Sequence, residues 1–401
     1  MGNISEKIRY VGVNDLQKVI FEGMWPLPFG VSYNSYLVVD EKVALIDTVE
    51  AGFAREYMEN IRREIGDRKG DYLVVNHMEP DHSSLISMIR EAWPEVRIVG
   101  NAKTVPMIKG YHGISDNIHV VKEGDSISLG SSTLTFYMAP MVHWPETMVT
   151  YFNEEKTLFS GDAFGTFGAL DGGIADSCCR LYGCTDVAEN TFEAFREEMR
   201  RYYSNIVGKF GQTVQAALKK LSGLEISRIC STHGPVWENH AADVVSYYDR
   251  LSRYDADNGV CIVYASMYGN TAKAAKALAS ELEKRGIDYA VHNLCTENVS
   301  YAYRDVFKYN TLVVGAPTYN NDIFPPAYNF MYGVSARLVK NRNFAAFGSF
   351  TWAGASVKLL NEMASKLGFK LLSEGLSFPQ AYSPEKCDMS ALADRIMQER
   401  G

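Results

Sequence analysis

A chain of 401 residues, 46% of them apolar, is long enough for two or three domains that each bury a core. A formal charge of -8 and a pI near 5.6 argue against nucleic acid or an anionic membrane as partner. Seven cysteines, an odd count with no C-x-x-C pair, argue against a secreted disulfide framework and against a zinc-knuckle or rubredoxin centre.

The N-terminus has no basic-then-apolar leader and no apolar run approaches membrane-spanning length, so a soluble cytoplasmic protein is expected. From residue 8 to 49 the pattern is β, with strands expected over 19–22, 31–39 and 43–47. Trp25, Pro26 and Pro28 interrupt that run as a loop. Residues 51–66 have helical composition and lead into the valine-rich run Tyr72-Leu73-Val74-Val75, which reads as a buried strand. Four ligand-type side chains follow within six positions: His77, Glu79, Asp81 and His82. In an extended loop alternate residues face one way, so His77, Glu79 and Asp81 can converge on one point while His82 faces a neighbouring one. That suits a pair of metal ions better than one. A helix is expected over 83–90, with Ser83 or Ser84 as its cap.

Further alternation gives strands near 97–100, 119–121, 126–129, 133–138, 148–152, 157–160 and 227–231, and helices over 102–109, 186–222 and 239–253. Three more candidate ligands stand just beyond strands: His143 in Ala-Pro-Met-Val-His-Trp-Pro, Asp162 in Ser-Gly-Asp-Ala-Phe-Gly, and His233 in Ser-Thr-His-Gly-Pro. Delivering ligands from several strand ends to one edge is how an open sheet or sandwich builds a rigid site. His112, His119, His240 and His292 lack that context and read as surface or packing residues. Cys178, Cys179 and Cys184 cluster, but adjacent cysteines seldom share an ion, and a structural or incidental role is expected.

Residues 253–259 are polar and charged, a boundary after which a regular β/α series begins. Strands are expected over 260–265, 288–294, 311–317, 344–350 and 370–377, and helices over 271–285, 325–338, 355–367 and 388–399, with a weaker one near 301–308. Such alternation implies a doubly wound parallel sheet. After its first strand comes Ser266-Met267-Tyr268-Gly269-Asn270-Thr271, opening a helix. Free amides at the helix start and the helix dipole make this an anion cradle, and with no lysine in the loop a metal-free phosphate such as that of FMN fits best. Two loops at the same edge supply small polar groups and aromatics for a flat ring: Pro317-Thr318-Tyr319-Asn320-Asn321 and Ser349-Phe350-Thr351-Trp352-Ala353-Gly354.

The second half resembles flavodoxin over nearly all of 259–401, and the first half resembles the metallo-β-lactamase αββα sandwich. Hydrolases of that superfamily carry H-x-H-x-D-H, whereas here the middle histidine is Glu79. A carboxylate in that place makes the site harder and favours iron over zinc. The whole chain is similar to the flavodiiron proteins (A-type flavoproteins), with Asn-His-Met-Glu-Pro-Asp-His, His-Trp-Pro-Glu-Thr-Met and Ser-Thr-His-Gly-Pro as matching segments. The resemblance implies a di-iron domain over 1–254 and an FMN domain over 255–401. It implies that His77, Glu79 and His143 hold one iron, that Asp81, His82 and His233 hold the other, and that Asp162 bridges them. The implied activity is reduction of dioxygen to water, of nitric oxide to nitrous oxide, or both; two ferrous ions and one flavin hydroquinone carry the four electrons dioxygen needs. With no C-x-x-C module, the donor is expected to be separate: a rubredoxin, a reduced deazaflavin or another carrier. A head-to-tail homodimer, or a tetramer built of such dimers, is expected to bring one subunit's FMN beside the other's irons. Trp25 and Trp144 are candidates to flank the site.

Two rival readings keep the fold. In one, the chain is a zinc-dependent hydrolase with a flavodoxin-like regulatory domain. In the other, it is a flavin electron carrier whose iron domain is structural.

Overall fold

The computed structural model describes residues 3–184 and 191–399. They fall into two compact units, Met1–Tyr203 with Gln212–Asp249, and Ser204–Gly211 with Arg250–Gly401.

In the first unit two sheets face one another. The six-stranded sheet runs in the order Ile8–Tyr10, Tyr36–Val39, Val43–Ile46, Tyr72–Val74, Arg97–Gly100, Ile118–Val120. The five-stranded sheet runs Ser126–Ser128, Thr133–Met138, Met148–Phe152, Thr157–Gly161, Arg228–Ser231. Val38, Ala44, Ile46, Val74 and Val99 of the first meet Leu134, Phe136, Met148, Phe152 and Phe159 of the second in one core. Strands such as Val43–Ile46 and Met148–Phe152 are buried at every position, so their outer faces are covered as well. Helix Ala54–Ile65, which buries Tyr57, Asn60 and Ile61, is one such cover. This is the αββα sandwich.

Several expected elements are divided. The strand over 31–39 is two strands, Val31–Tyr33 and Tyr36–Val39. Between them Asn34 is buried and donates Nδ2–H to the carbonyls of Ser231 and Gly234, tying this bend to the loop that carries His233. The helix over 83–90 is a single turn, Pro80–Ser83, followed by Ile86–Ala92; the N-caps are Glu79 and Leu85, and Ser84 closes the first turn. The helical stretch over 186–222 is broken: Thr191–Tyr202 ends in a wider turn over Tyr203–Val207, and helix Gly211–Leu221 resumes after it. Residues 186–190 of that stretch lie outside the described residues.

The second unit is a parallel sheet in the order Tyr289–Asn293, Asp257–Tyr264, Tyr309–Gly315, Asn343–Phe350, Lys370–Leu371. The strand expected over 370–377 is split, and its second piece, Leu376–Pro379, also pairs with Asn343–Phe350. Helix Asn270–Lys284 sets Ala274, Ala275, Leu278 and Leu282 against Val260, Ile262 and Val313 of the sheet. The helix near 301–308 is well formed as Val299–Lys308, with the Asn298 side chain accepting the Ser300 amide at its start. His292 is buried in an ion-paired cluster, with Glu297 at 2.8 Å from Nδ1 and Asp305 at 2.8 Å from Nε2.

Candidate metal centre and flavin cradle

The seven candidate ligands converge at one edge of the sandwich and sort into two groups. His77, Glu79, His143 and Asp162 form one, and Asp81, His82 and His233 the other; within each, the ligand atoms lie within 4.8 Å of one another. Asp81 therefore keeps company with His82, not with His77 and Glu79 as simple alternation suggests. The reason is local: Pro80 opens a helical turn, so the period of two stops at Glu79.

Asp162 faces both groups. Its Oδ2 is 3.1 Å from His143 Nε2 and 3.6 Å from His77 Nε2, while Oδ1 is 3.2 Å from His82 Nε2 and 3.6 Å from His233 Nε2. Glu79 Oε2 lies 3.0 Å from His143 Nε2, and Asp81 Oδ2 lies 3.2 Å from His233 Nε2. Four imidazoles thus aim their Nε2 atoms at three carboxylates in a buried space.

Five of the inward atoms, His77 Nε2, His82 Nε2, His233 Nε2 and both oxygens of Asp81, are buried without a hydrogen-bond partner among the described residues. Buried polar atoms are seldom left so, and a set that points inward together is the signature of absent cations. Burial pulls the His143 imidazole down, but hydrogen bonds to Asp162 and Glu79 outweigh it and lift it to about 10. Against the upward pull of burial, Asp162 is held well below the usual carboxylate range by His82 and by hydrogen bonds to His143 and His82. Cations belong in a pocket whose acids stay ionised, and they displace the protons that otherwise keep its imidazoles charged. Four nitrogens and three carboxylates fit two iron ions, a mixed nitrogen and oxygen set.

Outer partners that the sequence reading missed hold these ligands. Glu146 Oε1 accepts from His77 Nδ1 at 2.7 Å and from the Met78 amide at 2.8 Å. Thr232 donates its hydroxyl to Asp162 Oδ1 at 2.5 Å. His233 donates Nδ1–H to the Ser32 carbonyl at 2.7 Å. Only Glu146 left a trace in the sequence, as an acid three residues after a candidate ligand. Trp144 flanks the centre, its ring 5.3 Å from that of His77 and 6.3 Å from that of His143. Trp25 touches it through Glu22, to whose carboxylate its indole donates at 3.0 Å. Glu22 is exposed as a residue but turns its carboxyl into the space beside Glu79, and the local burial and that neighbouring charge raise it to about 7. Cys178, Cys179 and Cys184 belong to neither ligand group, and Cys178 is exposed.

In the second unit a cavity of about 350 Å³ opens beyond the strand ends. All the residues proposed from the three loops line it except Gly269 and Gly354, and Gln380 joins them. Gly269 caps helix Asn270–Lys284 with φ +89, and Ser266 Oγ accepts the amides of Gly269 at 3.1 Å and Ala272 at 3.3 Å. Thr271 and Ser349 hydroxyls meet at 3.1 Å, joining the first and third loops. Trp352 and Tyr268 are 84% and 90% exposed, so their ring faces are free to cover a flat group. A helix N-terminus with no cation beside exposed aromatic rings fits FMN.

A family model described as ODP family beta lactamase matches residues 31–234, and a flavodoxin model matches 262–391. An anaerobic nitric oxide reductase flavorubredoxin of Aeromonas hydrophila subsp. hydrophila is 30% identical over 399 residues, which is 98% of this chain and 77% of that one. Among solved structures, the rubredoxin oxygen:oxidoreductase of Desulfovibrio gigas matches with a TM-score of 0.92 at 29% identity, over 100% of this chain and 98% of the other. The flavodiiron protein of Giardia intestinalis matches at 0.90 and 26% identity, over 99% and 97%.

Proposed function

Because the chain belongs to the flavodiiron proteins, oxidoreductases that take FMN and a di-iron centre, we propose that it reduces dioxygen to water, nitric oxide to nitrous oxide, or both. The observation that carries this reading is the paired ligand set sharing Asp162, with its inward atoms buried and unpartnered. When bound, FMN supplies electrons one at a time and the iron pair supplies open positions for a diatomic gas.

His77, Glu79 and His143 would hold one iron and Asp81, His82 and His233 the other, with Asp162, which faces both groups, available to each. Thr232 and Ser32 fix Asp162 and His233, so the ligands need no rearrangement when the irons change charge. Trp144 lies against His77, and the rings of Phe21, Tyr33 and Tyr202 surround His233, so aromatic side chains border the ligand set. In the other unit, Ser266, Asn270 and Thr271 would receive the FMN phosphate, and Tyr319 and Trp352 would border its ring.

Electrons arrive from a rubredoxin-type donor, a role supported by the names of the matching relatives. The working form is a head-to-tail homodimer or a tetramer of such dimers. Exposed apolar residues on the segment that brings Phe21 and Glu22 to the ligand set (Val19, Ile20 and Met24) and at the flavin cradle (Tyr268, Trp352) support burial against a second copy. The odd count of seven cysteines with no C-x-x-C pair supports a cytoplasmic setting, and no described helix is long and apolar enough to cross a membrane.

Anaerobic stopped-flow mixing of the fully reduced protein with each gas in turn tests the reading. Rapid flavin reoxidation by dioxygen, by nitric oxide or by both is expected, with water or nitrous oxide as product. Reoxidation no faster than that of free reduced FMN, or hydrogen peroxide as the main product, would reject it.

A further inference from the structure

The histidines of the metal centre are not backed alike. His77 donates Nδ1–H to the carboxylate of Glu146 at 2.7 Å, whereas His233 donates to the neutral carbonyl of Ser32 at the same distance. His82 Nδ1 is buried with no hydrogen-bond partner among the described residues. A full negative charge therefore stands behind the Glu79 side of the centre and none is hydrogen-bonded behind the other. Asp47, the further buried carboxylate nearby, acts on His82 and His77 through space and is hydrogen-bonded to neither ring. Its two oxygens accept from the Asn76 amide at 2.7 Å and the Asn76 side chain at 3.1 Å, not from a ligand ring.

Glu146 is wholly buried, and its Oε2 has no hydrogen-bond partner among the described residues. Keeping an ionised carboxylate there costs stability that a glutamine would spare, because an amide oxygen could accept the same two hydrogen bonds. Shape and hydrogen bonding alone do not call for the charge. Its position, one ring away from the Glu79-side metal, does: negative charge passed through a hydrogen-bonded imidazole makes the ligand nitrogen more basic and favours the higher metal charge.

Resting on the reading of the two ligand groups as two iron sites, we propose that Glu146 is a positioning residue that makes those sites unequal. It locks the His77 ring with Nε2 toward the metal and biases the Glu79-side iron toward the ferric state, so that this iron is the first of the pair to be oxidised. In that step one ferrous ion becomes ferric and its electron passes to the oxidant, which is the gas in turnover and a mediator dye in a titration. The Nδ1 proton stays within the His77–Glu146 hydrogen bond.

The test is an anaerobic redox titration of the holoprotein, followed by electron paramagnetic resonance of the half-oxidised iron pair, in the natural protein and in Glu146→Gln. The natural protein is expected to show two separated one-electron steps. In Glu146→Gln the lower-potential step moves up toward the other, and the maximum population of the half-oxidised pair falls several-fold. Loss of one iron of the two at unchanged FMN content also supports the proposal, since removing such a partner weakens metal affinity by about 10–100-fold. Steps that do not move, or loss of both irons together, overturn it. A natural protein that binds no iron sinks the underlying functional reading instead, so the two failures are distinguishable.

Discussion

Asp162→Asn is expected to empty the metal centre and abolish gas reduction while the protein stays yellow. Among the described residues Asp162 is the one carboxylate that faces both ligand groups, with one oxygen toward His77 and His143 and the other toward His82 and His233. An asparagine keeps the volume and can still accept the Thr232 hydroxyl, so the fold is preserved. What it removes is the shared charge, and two adjacent cations are then left with Glu79 and Asp81 as the carboxylates of their ligand groups. Their mutual repulsion is no longer offset. The loss of turnover should exceed the about 100-fold at the top of the range for changes in outer partners. Iron analysis, flavin absorbance and gas consumption on one preparation check it. Turnover retained with normal FMN would instead favour the reading in which the metal domain is structural.

Gly269→Val is the reciprocal experiment. It should strip the flavin and leave the irons in place. Gly269 has φ +89 at the mouth of the phosphate loop, a conformation that β-branched side chains resist at a cost of about 1–2 kcal/mol. No atom lies within 4 Å of where its Cβ would be, so the effect is backbone strain and not a clash. The loop relieves that strain by turning away the amides that Ser266 now gathers. Each 1.4 kcal/mol withdrawn from the cradle weakens FMN by about tenfold. Gly269→Ala should fall between the natural protein and the valine variant. Equilibrium FMN titration of the deflavinated protein, with iron content measured alongside, decides it. Unchanged affinity in the valine variant would remove the phosphate from this loop.

Much of this architecture can be read before any coordinates are seen, and the residues show why. Valine-rich runs such as Tyr72-Leu73-Val74-Val75 mark buried strands, because few other structures bury an uninterrupted apolar segment that short. Thr133–Met138 and Met148–Phe152 carry β-branched and aromatic residues bounded by turns, and both have the expected limits. The seven candidate positions that the structure brings together in two groups were legible because ligand-type side chains stood just past strand ends. The breaks were not legible, since they depend on distant partners. The bend at Asn34 exists because its amide reaches Ser231 and Gly234, some 200 residues further on. The split at 370–377 depends on which neighbour the strand pairs with. Pro80 was a signal available but unused: proline at a first helical position ends the extended alternation and sends Asp81 to the second group. Glu146 was hidden for another reason. A carboxylate that supports a ligand has no spacing rule, and only the fold brings it to His77.

The zinc-hydrolase reading has lost ground for a chemical reason as well as through kinship. Glu79 puts a carboxylate where the hydrolases have imidazole, and with Asp81 and Asp162 it gives three carboxylates to four imidazoles. Such a set suits an ion that changes charge between two oxidation states.

The most direct check of that claim is metal and flavin analysis of the protein as purified without added metal. Two irons and one FMN per chain, with no hydrolysis of esters or lactams, is the result the account predicts. A colourless protein holding zinc, and hydrolysing such substrates, would contradict it.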